Sequence, residues 1–381
     1  MTVACVMNRR IETGTTDQRS TGAINAAYDS MMGDGIAHVK VVGNVTPEQF
    51  RDEVLPGNAP ALLKGVIAAW PAVREGLRSP QAVADYLRRF DQGKPVETIF
   101  GSPEIEGKFF YNDKLDGLNF DRGPAPVGAS VERILGLAGQ ERPPSIYIQS
   151  VPIRDCLPAF SQDNRLEIVD PGVSPRIWIG NRLTVQTHFD LSENIACVVA
   201  GRRRFTLFPP EQTPNLYPGP FELTLAGPPV SMVRLEQPDF ERYPRYREAL
   251  KHALVADLGP GDAIYIPYFW WHHVQTLEDL NILVNYWWND AQPDLGSPFD
   301  ALLHAILAIR DMPSRQRAAW RVMFEHYAFG GNGDPVGHLP PEARGALGAH
   351  DSRTRQQIRM MLLNALARQA GLRPPAGRRP G

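Results

Sequence analysis

The 381-residue sequence has few cysteines, no long apolar run and no excess of charge of either sign. Its three cysteines, Cys5, Cys156 and Cys197, are widely separated, which argues against a disulfide framework or a cysteine-based zinc site and favours a reducing compartment. No stretch approaches the roughly 18 apolar residues of a transmembrane helix. The 40 basic and 42 acidic side chains nearly cancel, so neither nucleic acid nor a membrane is an expected partner.

The two ends of the chain carry no periodic apolar pattern. Residues 1–36 are small and polar, and residues 372–381 are rich in arginine, proline and glycine. We therefore predict a flexible N-terminal arm and a disordered tail. Arg9-Arg10 is not followed by an apolar stretch, which argues against a secretory signal and favours a cytoplasmic location.

Short apolar runs separated by glycine and proline dominate the middle of the chain. Residues 141–294 contain several such runs, which predict the short strands of a β-sandwich or barrel. Within them, residues 209–260 form a proline-rich insertion with a short predicted helix near residues 243–253. Long excursions of this kind usually form lids or substrate loops.

The segments on either side of this barrel differ in their predicted structure. Residues 37–140 mix strands with helices, one of which begins at Thr46-Pro47, with threonine as N-cap and proline in the first turn. Residues 295–371 carry helical apolar stripes. We therefore predict an α/β flank before the barrel and a helical region after it.

His188, Asp190 and His272 form the most informative chemical pattern of the sequence. Residues i and i+2 of an extended strand point the same way, so His188 and Asp190 face one side of one strand end. His272 follows another predicted strand, residues 263–267. Two imidazoles and one carboxylate on one face of a metal leave positions open, which suits a non-haem Fe(II) oxygenase. The pattern predicts a catalytic metal site built from these three residues.

Two alternatives stay open for these residues. His188 and Asp190 also fit a buried hydrogen-bonded pair, with His272 as an ordinary core histidine. In addition, His272 and His273 point to opposite faces of a regular strand, so only one of them can face the metal. The spacing does not decide which one, and the other would have a structural or supporting role.

The passage from Trp178 to Trp288 resembles the JmjC/cupin-like 2-oxoglutarate oxygenases, especially those that hydroxylate asparagine in hypoxia-inducible factor and their bacterial cupin-like relatives. Beyond the triad, the matching segments are residues 201–210, 238–244, 259–267, 270–274 and 284–287. The resemblance implies a mainly β protein with some α structure: a double-stranded β-helix, or jelly roll, with N-terminal α/β elements and a C-terminal helical segment. It also favours His272 over His273 as the metal ligand.

The resemblance further implies Fe(II), O2 and the co-substrate 2-oxoglutarate, which is oxidised to succinate and CO2. In the asparaginyl hydroxylases, a lysine two residues after a glycine binds the remote carboxylate of the co-substrate, and Arg203 matches that position. Arginine offers a planar two-pronged donor with a permanent charge, although its shape differs from that of lysine. Strand alternation directs Arg202 and Arg204 away from Arg203. The alternative is that all three form a solvated basic surface.

Six other positions are carried over from the family. The resemblance implies co-substrate or iron-pocket roles for Tyr147, Thr184, Asn194 and Asn285. It implies substrate contacts for Gln149 and Trp287. Ordinary core or surface roles are the alternative for each. Asn285 also stands out by itself, because an unpaired amide in a buried apolar strand costs roughly 1–3 kcal/mol.

The sequence thus predicts an Fe(II)- and 2-oxoglutarate-dependent hydroxylase of a protein side chain or a small molecule. A metal-binding cupin without turnover, acting as a sensor or a structural module, is the alternative. Histone demethylation, which needs a pocket for a methylated ammonium group, is a further option within the family. The helices of residues 295–371 match the family's dimerisation region, which implies a homodimer. Their apolar stripes would also fit packing against the barrel.

Overall fold

The computed structural model describes residues 37–225, 227–292, 294–330, 333–348 and 351–372. The predicted N-terminal arm and almost all of the predicted tail therefore lie outside the described residues. The chain divides into two compact units, Met1–Asn289 and Asp290–Gly381, and each unit is described by itself. No helix among the described residues is long and apolar enough to cross a membrane.

The first unit is built mainly from β-strands. In chain order, its described strands are β1 (Ala37–His38), β2 (Lys40–Gly43), β3 (Ala61–Lys64), β4 (Pro95–Gly101), β5 (Lys108–Phe109), β6 (Asp121–Pro126), β7 (Ser145–Pro152), β8 (Pro175–Gly180), β9 (Thr184–His188), β10 (Glu193–Ala200), β11 (Arg203–Phe208), β12 (Leu254–Leu258), β13 (Ala263–Ile266), β14 (Trp271–Thr276) and β15 (Asn281–Trp288).

Short helices connect these strands. They are α1 (Pro47–Gln49), α2 (Pro71–Arg78), α3 (Pro80–Arg88), α4 (Val127–Gly136), α5 (Ile153–Cys156), α6 (Phe160–Asp163) and α7 (Tyr246–Lys251). The predicted N-cap of α1 is confirmed, because the side chain of Thr46 accepts a hydrogen bond from the Gln49 amide at 3.1 Å. Ser79 caps α3 in the same way, accepting a hydrogen bond from the Ala82 amide at 3.0 Å. Each cap satisfies a backbone donor that the first helical turn leaves unpaired.

Strands β8 to β15 form a jelly roll. β8, β15, β10 and β13 are neighbours in a nine-stranded sheet, and β9, β14, β11 and β12 are neighbours in a six-stranded sheet. The chain therefore passes repeatedly from one sheet to the other, as in a double-stranded β-helix. The predicted fold is confirmed, and β2 to β7 with their helices supply the predicted α/β elements by extending both sheets.

An apolar cluster fills the space between the two sheets. Alternate residues of the strands point inward, and they include Ala196, Phe205, Ile266, Val274 and Leu283, all of which are buried. These same five side chains also line a deep cavity in the first unit. The core therefore forms the apolar floor of a site that lies inside the jelly roll.

The structure differs from the prediction at the end of the insertion. Residues 254–258, which the sequence placed within the insertion, form β12 and pair with β11 across the six-stranded sheet. The strand is only five residues long and follows α7 closely, so its apolar pattern was too short to separate it from the insertion. The predicted short helix is present as α7.

Gly201 allows the tight connection between β10 and β11. Its φ of +75° lies in the left-handed region, and a Cβ there would meet the carbonyl oxygen of Leu280 at 2.7 Å and the side-chain oxygen of Asn281. We expect Gly201→Ala to lower the free energy of unfolding by about 1–3 kcal/mol, because both the backbone and its neighbours would be strained. Urea unfolding measures this, with Gly43→Ala as the control, since no atom lies within 4 Å of a Cβ at Gly43. Equal losses in the two variants would contradict the expectation.

The second unit contains three longer helices, α8 (Pro298–Ile309), α9 (Ser314–Phe324) and α10 (Ser352–Gln369). Ser297 caps α8, accepting a hydrogen bond from the Phe299 amide at 3.1 Å. Among the residues of this unit whose burial is described, only Val336 and Ala367 are buried. The helices therefore expose most of the apolar side chains that usually make a core.

Candidate metal centre

The three predicted metal ligands meet at one end of β9 and β14. His188 is the last residue of β9, Asp190 follows two residues later, and His272 lies opposite His188 in the antiparallel pairing of the two strands. Their ligand atoms all lie within 4.8 Å of one another. The Nε2 atom of His272 is 3.6 Å from Oδ2 of Asp190, and the two imidazole centroids are 4.3 Å apart. This spacing allows one ion to contact all three side chains.

Backbone carbonyls orient both imidazoles. Nδ1 of His188 donates to the carbonyl oxygen of Gln186 at 2.8 Å, and Nδ1 of His272 donates to that of Trp270 at 3.0 Å. A proton on Nδ1 leaves the lone pair of Nε2 free, which is the form that binds a metal. The hydrogen bonds therefore fix both the ring orientation and the tautomer that a ligand requires.

Burial shifts the pKa values of two of the three candidate ligands, His272 and Asp190. It lowers the pKa of His272 well below the usual value, and the neighbouring His188 lowers it further, so His272 is a neutral ligand at physiological pH. Burial also raises the pKa of Asp190, against the influence of His188, Asn194 and Trp287. A divalent cation would offset the cost of burying this carboxylate. The chemistry and the spacing of the donor set both fit a metal ion.

The three ligands line a cavity that is partly open to solvent. Six further residues of the predicted site line it, and these are Tyr147, Gln149, Asn194, Arg203, Asn285 and Trp287. They come from β7, β10, β11 and β15, which belong to both sheets. The jelly roll thus brings together residues that are far apart in the sequence.

Arg203 is a buried cation in this cavity. Only 2% of its surface is exposed, and burial lowers its pKa to about 10, although Tyr147, its hydrogen-bond partner, acts in the opposite direction. Its Nε and Nη2 atoms have no hydrogen-bond partner among the described residues. Buried charges are normally paired, so a carboxylate-bearing ligand such as 2-oxoglutarate fits the two free donors.

The neighbours of Arg203 agree with the predicted alternation. Arg202 and Arg204 form ion pairs outside the cavity, with Glu278 at 2.7 Å and with Asp257 at 2.7 Å. The three arginines are therefore not one solvated basic surface, since the middle one is buried and faces inward.

The two predicted asparagines form one hydrogen-bonded network. Nδ2 of Asn285 donates to Oδ1 of Asn194 at 3.3 Å, and the indole of Trp178 donates to Oδ1 of Asn285 at 2.8 Å. Asn194 also hydrogen-bonds Asp190. The network explains how a polar Asn285 is tolerated in a buried strand. Sequence reasoning assigned no role to Trp178, because its pattern is that of an ordinary core residue.

Two residues beside the ligands lie outside the cavity. His273 points to the opposite face of β14 from His272 and contacts Glu236 of the insertion at 3.2 Å. Thr184 is buried but does not line the cavity, whereas Val185 does. A register shift between β9 and β14 changes which residues of β9 face inward. Thr184 is therefore not among the residues that line the cavity with the other predicted co-substrate residues.

The sequence and the site assign the chain to a class of proteins. Residues 47–294 match the cupin-like domain family, and the chain belongs to this family. It is similar to the JmjC/cupin Fe(II)/2-oxoglutarate oxygenases, a class for which Fe(II) and 2-oxoglutarate are the implied cofactor and co-substrate.

Similar proteins are known from several organisms. The chain is 40% identical over 269 residues to lysine-specific demethylase JMJ31 of Arabidopsis thaliana. The aligned residues cover 64% of this chain and 48% of that protein. The chain is 28% identical over 250 residues to lysine-specific demethylase 8 of Danio rerio, covering 64% and 56%. It is 26% identical over 316 residues to HSPB1-associated protein 1 of Bos taurus, covering 78% and 62%. The chain thus matches only about half to three fifths of the length of each of these relatives.

Proposed function

We propose that this protein is an Fe(II)- and 2-oxoglutarate-dependent hydroxylase that couples oxidative decarboxylation of 2-oxoglutarate to C–H hydroxylation of a protein side chain or a small molecule. The observation that carries the proposal is a buried, incompletely paired Arg203 in the same cavity as the His188, Asp190 and His272 cluster. Three metal-binding side chains alone would fit many classes of protein. The same three side chains beside a buried cation, which can pair with a carboxylate, fit a site for 2-oxoglutarate.

Each residue of the site has a defined part in the proposal. His188, Asp190 and His272 hold the iron, which supplies a template for the reactants and the redox chemistry. Arg203 and the hydroxyl of Tyr147 bind the remote carboxylate of 2-oxoglutarate. Four other residues have smaller parts. Asn194 and Asn285 orient the pocket around metal and co-substrate, and Gln149 and Trp287 contact the substrate. A co-substrate contact by Thr184 stays a prediction from the resemblance.

Lysine demethylation is the second candidate, because two of the similar proteins are named lysine-specific demethylases. The described residues that line the cavity favour a neutral target instead. Asp190 is the only acidic residue among these described residues, and the proposal assigns it to the metal. A methylated ammonium group would therefore depend on the aromatic side chains, such as Phe109 and Phe120, for its recognition.

The test is the formation of succinate from 2-oxoglutarate by anaerobically purified protein after addition of Fe(II), ascorbate and O2. We expect slow succinate formation without substrate and faster formation with a substrate-containing peptide or metabolite mixture. Mass spectrometry of that mixture distinguishes the candidates, because hydroxylation adds one oxygen, whereas demethylation removes a methyl group as formaldehyde. Tight metal binding with no binding of 2-oxoglutarate would favour the cupin without turnover.

We also propose that the second unit forms a homodimer. Its apolar side chains are widely exposed in the single chain, among them Leu303 at 48%, Leu307 at 70% and Met361 at 65%. Exposed apolar surface on this scale is typical of an interface, and obligate dimers bury surfaces of this composition. The proposed occupant is a second copy of the same helices.

A charge in this surface is expected to separate the subunits. We expect Leu307→Glu to shift the protein from dimer to monomer in light scattering after size exclusion, with a dissociation constant raised at least roughly tenfold, since burying an unpaired carboxylate costs more than about 1.4 kcal/mol. Leu77→Glu is the control, because Leu77 is 66% exposed and lies on α2 of the first unit. A monomeric wild type would contradict the proposal outright.

A further inference from the structure

Glu236 reaches from the insertion to the back of the metal centre. Its side chain is only 15% exposed. Its Oε1 atom accepts a hydrogen bond from Nε2 of His273 at 3.2 Å and one from the side-chain amide of Gln186 at 3.4 Å. A single carboxylate oxygen thus joins β14 to β9, the two strands that carry the histidine ligands.

Both partners of Glu236 are coupled to those ligands. The carbonyl oxygen of Gln186 accepts the hydrogen bond from Nδ1 of His188 at 2.8 Å, so the position of Gln186 sets the orientation of that imidazole. His273 directly follows His272 in β14. Glu236 therefore contacts one residue that orients the first ligand and another that shares a backbone with the second.

The contacts are made at a place where the ladder between the two strands is irregular. The register of β9 and β14 shifts between His272 and Val274, so the regular backbone pairing is interrupted beside the ligands. A bulge of this kind redirects side chains but weakens local pairing. A buried side-chain bridge across the bulge compensates for the interruption.

The carboxylate of Glu236 is charged in this bridge. Burial alone would raise the pKa of this carboxyl, but the hydrogen bond with His273 acts against burial, and the pKa is lowered to about 2. Hydrogen bonds to a charged group are stronger than neutral ones. Loss of one partner would also leave the other polar groups buried and unpaired.

We infer that Glu236 is a positioning residue, which holds β9 and β14 at the separation that lets His188 and His272 bind one metal ion. The inference rests on the proposed function, because it takes these two histidines as metal ligands. It goes beyond that proposal by giving the insertion a second structural role. Besides forming part of the cavity wall with Leu225 and Val230, the insertion braces the metal centre.

The test compares metal binding by folded variants, without turnover. Co(II) is titrated anaerobically into wild type, Glu236→Gln and Glu236→Ala, and both the dissociation constant and the visible d–d spectrum are recorded. Since loss of residues that orient ligands typically costs about 10–100-fold in metal affinity, we expect roughly tenfold weaker binding for Glu236→Ala. Glu236→Gln retains one acceptor oxygen but loses the charge, and we expect a smaller loss. The d–d bands of both variants should shift.

Ser231→Ala is the matched control within the insertion. The hydroxyl of Ser231 is buried and donates to the carbonyl oxygen of Leu216 at 2.6 Å, so its loss destabilises the same segment. Its backbone amide still donates to the carbonyl oxygen of Thr187. We expect this variant to unfold more easily but to bind Co(II) like wild type. Thermal unfolding of the metal-free proteins identifies a temperature at which every variant is folded.

Three outcomes separate the possibilities. Unchanged Co(II) affinity and spectrum in folded Glu236→Ala would overturn the inference while leaving the proposed function intact. An equal loss of affinity in Ser231→Ala would also overturn it, because the effect would then follow from general destabilisation. Failure of the wild type to bind Co(II), or binding that survives His188→Ala, would instead contradict the proposed metal site.

Discussion

Replacement of His188 by alanine is expected to abolish 2-oxoglutarate turnover and to weaken metal binding by far more than roughly 100-fold, the largest usual effect of losing a residue that only orients a ligand. His188 supplies one of three donor atoms that all lie within 4.8 Å of one another. Its removal leaves one imidazole and one carboxylate, which do not define a facial site. Succinate formation and Fe(II) titration under anaerobic conditions measure the two effects.

An exposed histidine provides the control for this experiment. His252 lies just after α7, where it contacts Glu248 at 3.3 Å on the surface. His252→Ala is expected to leave turnover and metal affinity unchanged. If His188→Ala retained wild-type succinate formation, the three residues would be an ordinary buried cluster and the proposed function would be wrong.

The second large effect concerns Arg203, for which we expect stability and binding to change in opposite directions. In Arg203→Met, binding of 2-oxoglutarate should weaken by at least about 100-fold, since removal of one partner of a buried ion pair costs about 3–5 kcal/mol. The metal-free, ligand-free protein should be as stable as wild type or more stable, because the buried guanidinium has two nitrogens without a partner among the described residues. Replacement of buried charges by apolar side chains is often neutral or stabilising by about 1–4 kcal/mol.

Thermal unfolding with and without 2-oxoglutarate, in the presence of Mn(II) and the absence of Fe(II), measures both parts at once. Wild type should gain thermal stability on addition of 2-oxoglutarate, because a ligand stabilises the state that it binds. Arg203→Met should lose this gain. Arg203→Lys should keep part of it, since lysine supplies the charge but not the planar fork.

Arg204 is the matched control, because it is the next residue of the same strand. Its guanidinium pairs with Asp257 through Nε at 2.7 Å and Nη2 at 2.8 Å, outside the cavity. Arg204→Met should leave the gain from 2-oxoglutarate intact. A marked loss of stability in ligand-free Arg203→Met would show that the guanidinium is structural, and an unchanged affinity for 2-oxoglutarate would remove it from the site.

Features that depend on only a few neighbouring residues were predictable from the sequence. The N-caps at Thr46 and Ser79 were predictable because a hydroxyl in that position satisfies a donor only three residues away. The inward Arg203 between two outward arginines was also predictable from strand alternation. In both cases the determining interaction or geometry spans a few residues.

Features that depend on strand pairing were not predictable in the same way. The residues of β12 were predicted to be part of the insertion, because these five residues are recognisable as a strand only from their pairing with β11. Thr184 was grouped with the co-substrate residues, but the shifted register of β9 and β14 directs Val185 to the cavity. A shift of one residue exchanges the two faces of a strand, and nothing in the strand itself specifies such a shift.

The sequence by itself therefore determined the His188 and Asp190 pair and the β-rich class of the middle of the chain, because these follow from residue type, short spacing and the period of the apolar pattern. The family and the jelly roll were implied by the resemblance of residues 178–288 to known oxygenases. Tertiary structure decided that His272 rather than His273 joins His188, since the pairing of two strands sets His272 opposite it. It alone also connected Glu236 with His273 and Gln186, which lie 37 and 50 residues away. Contacts over such distances depend on how the whole chain packs, and no local pattern in the sequence encodes them.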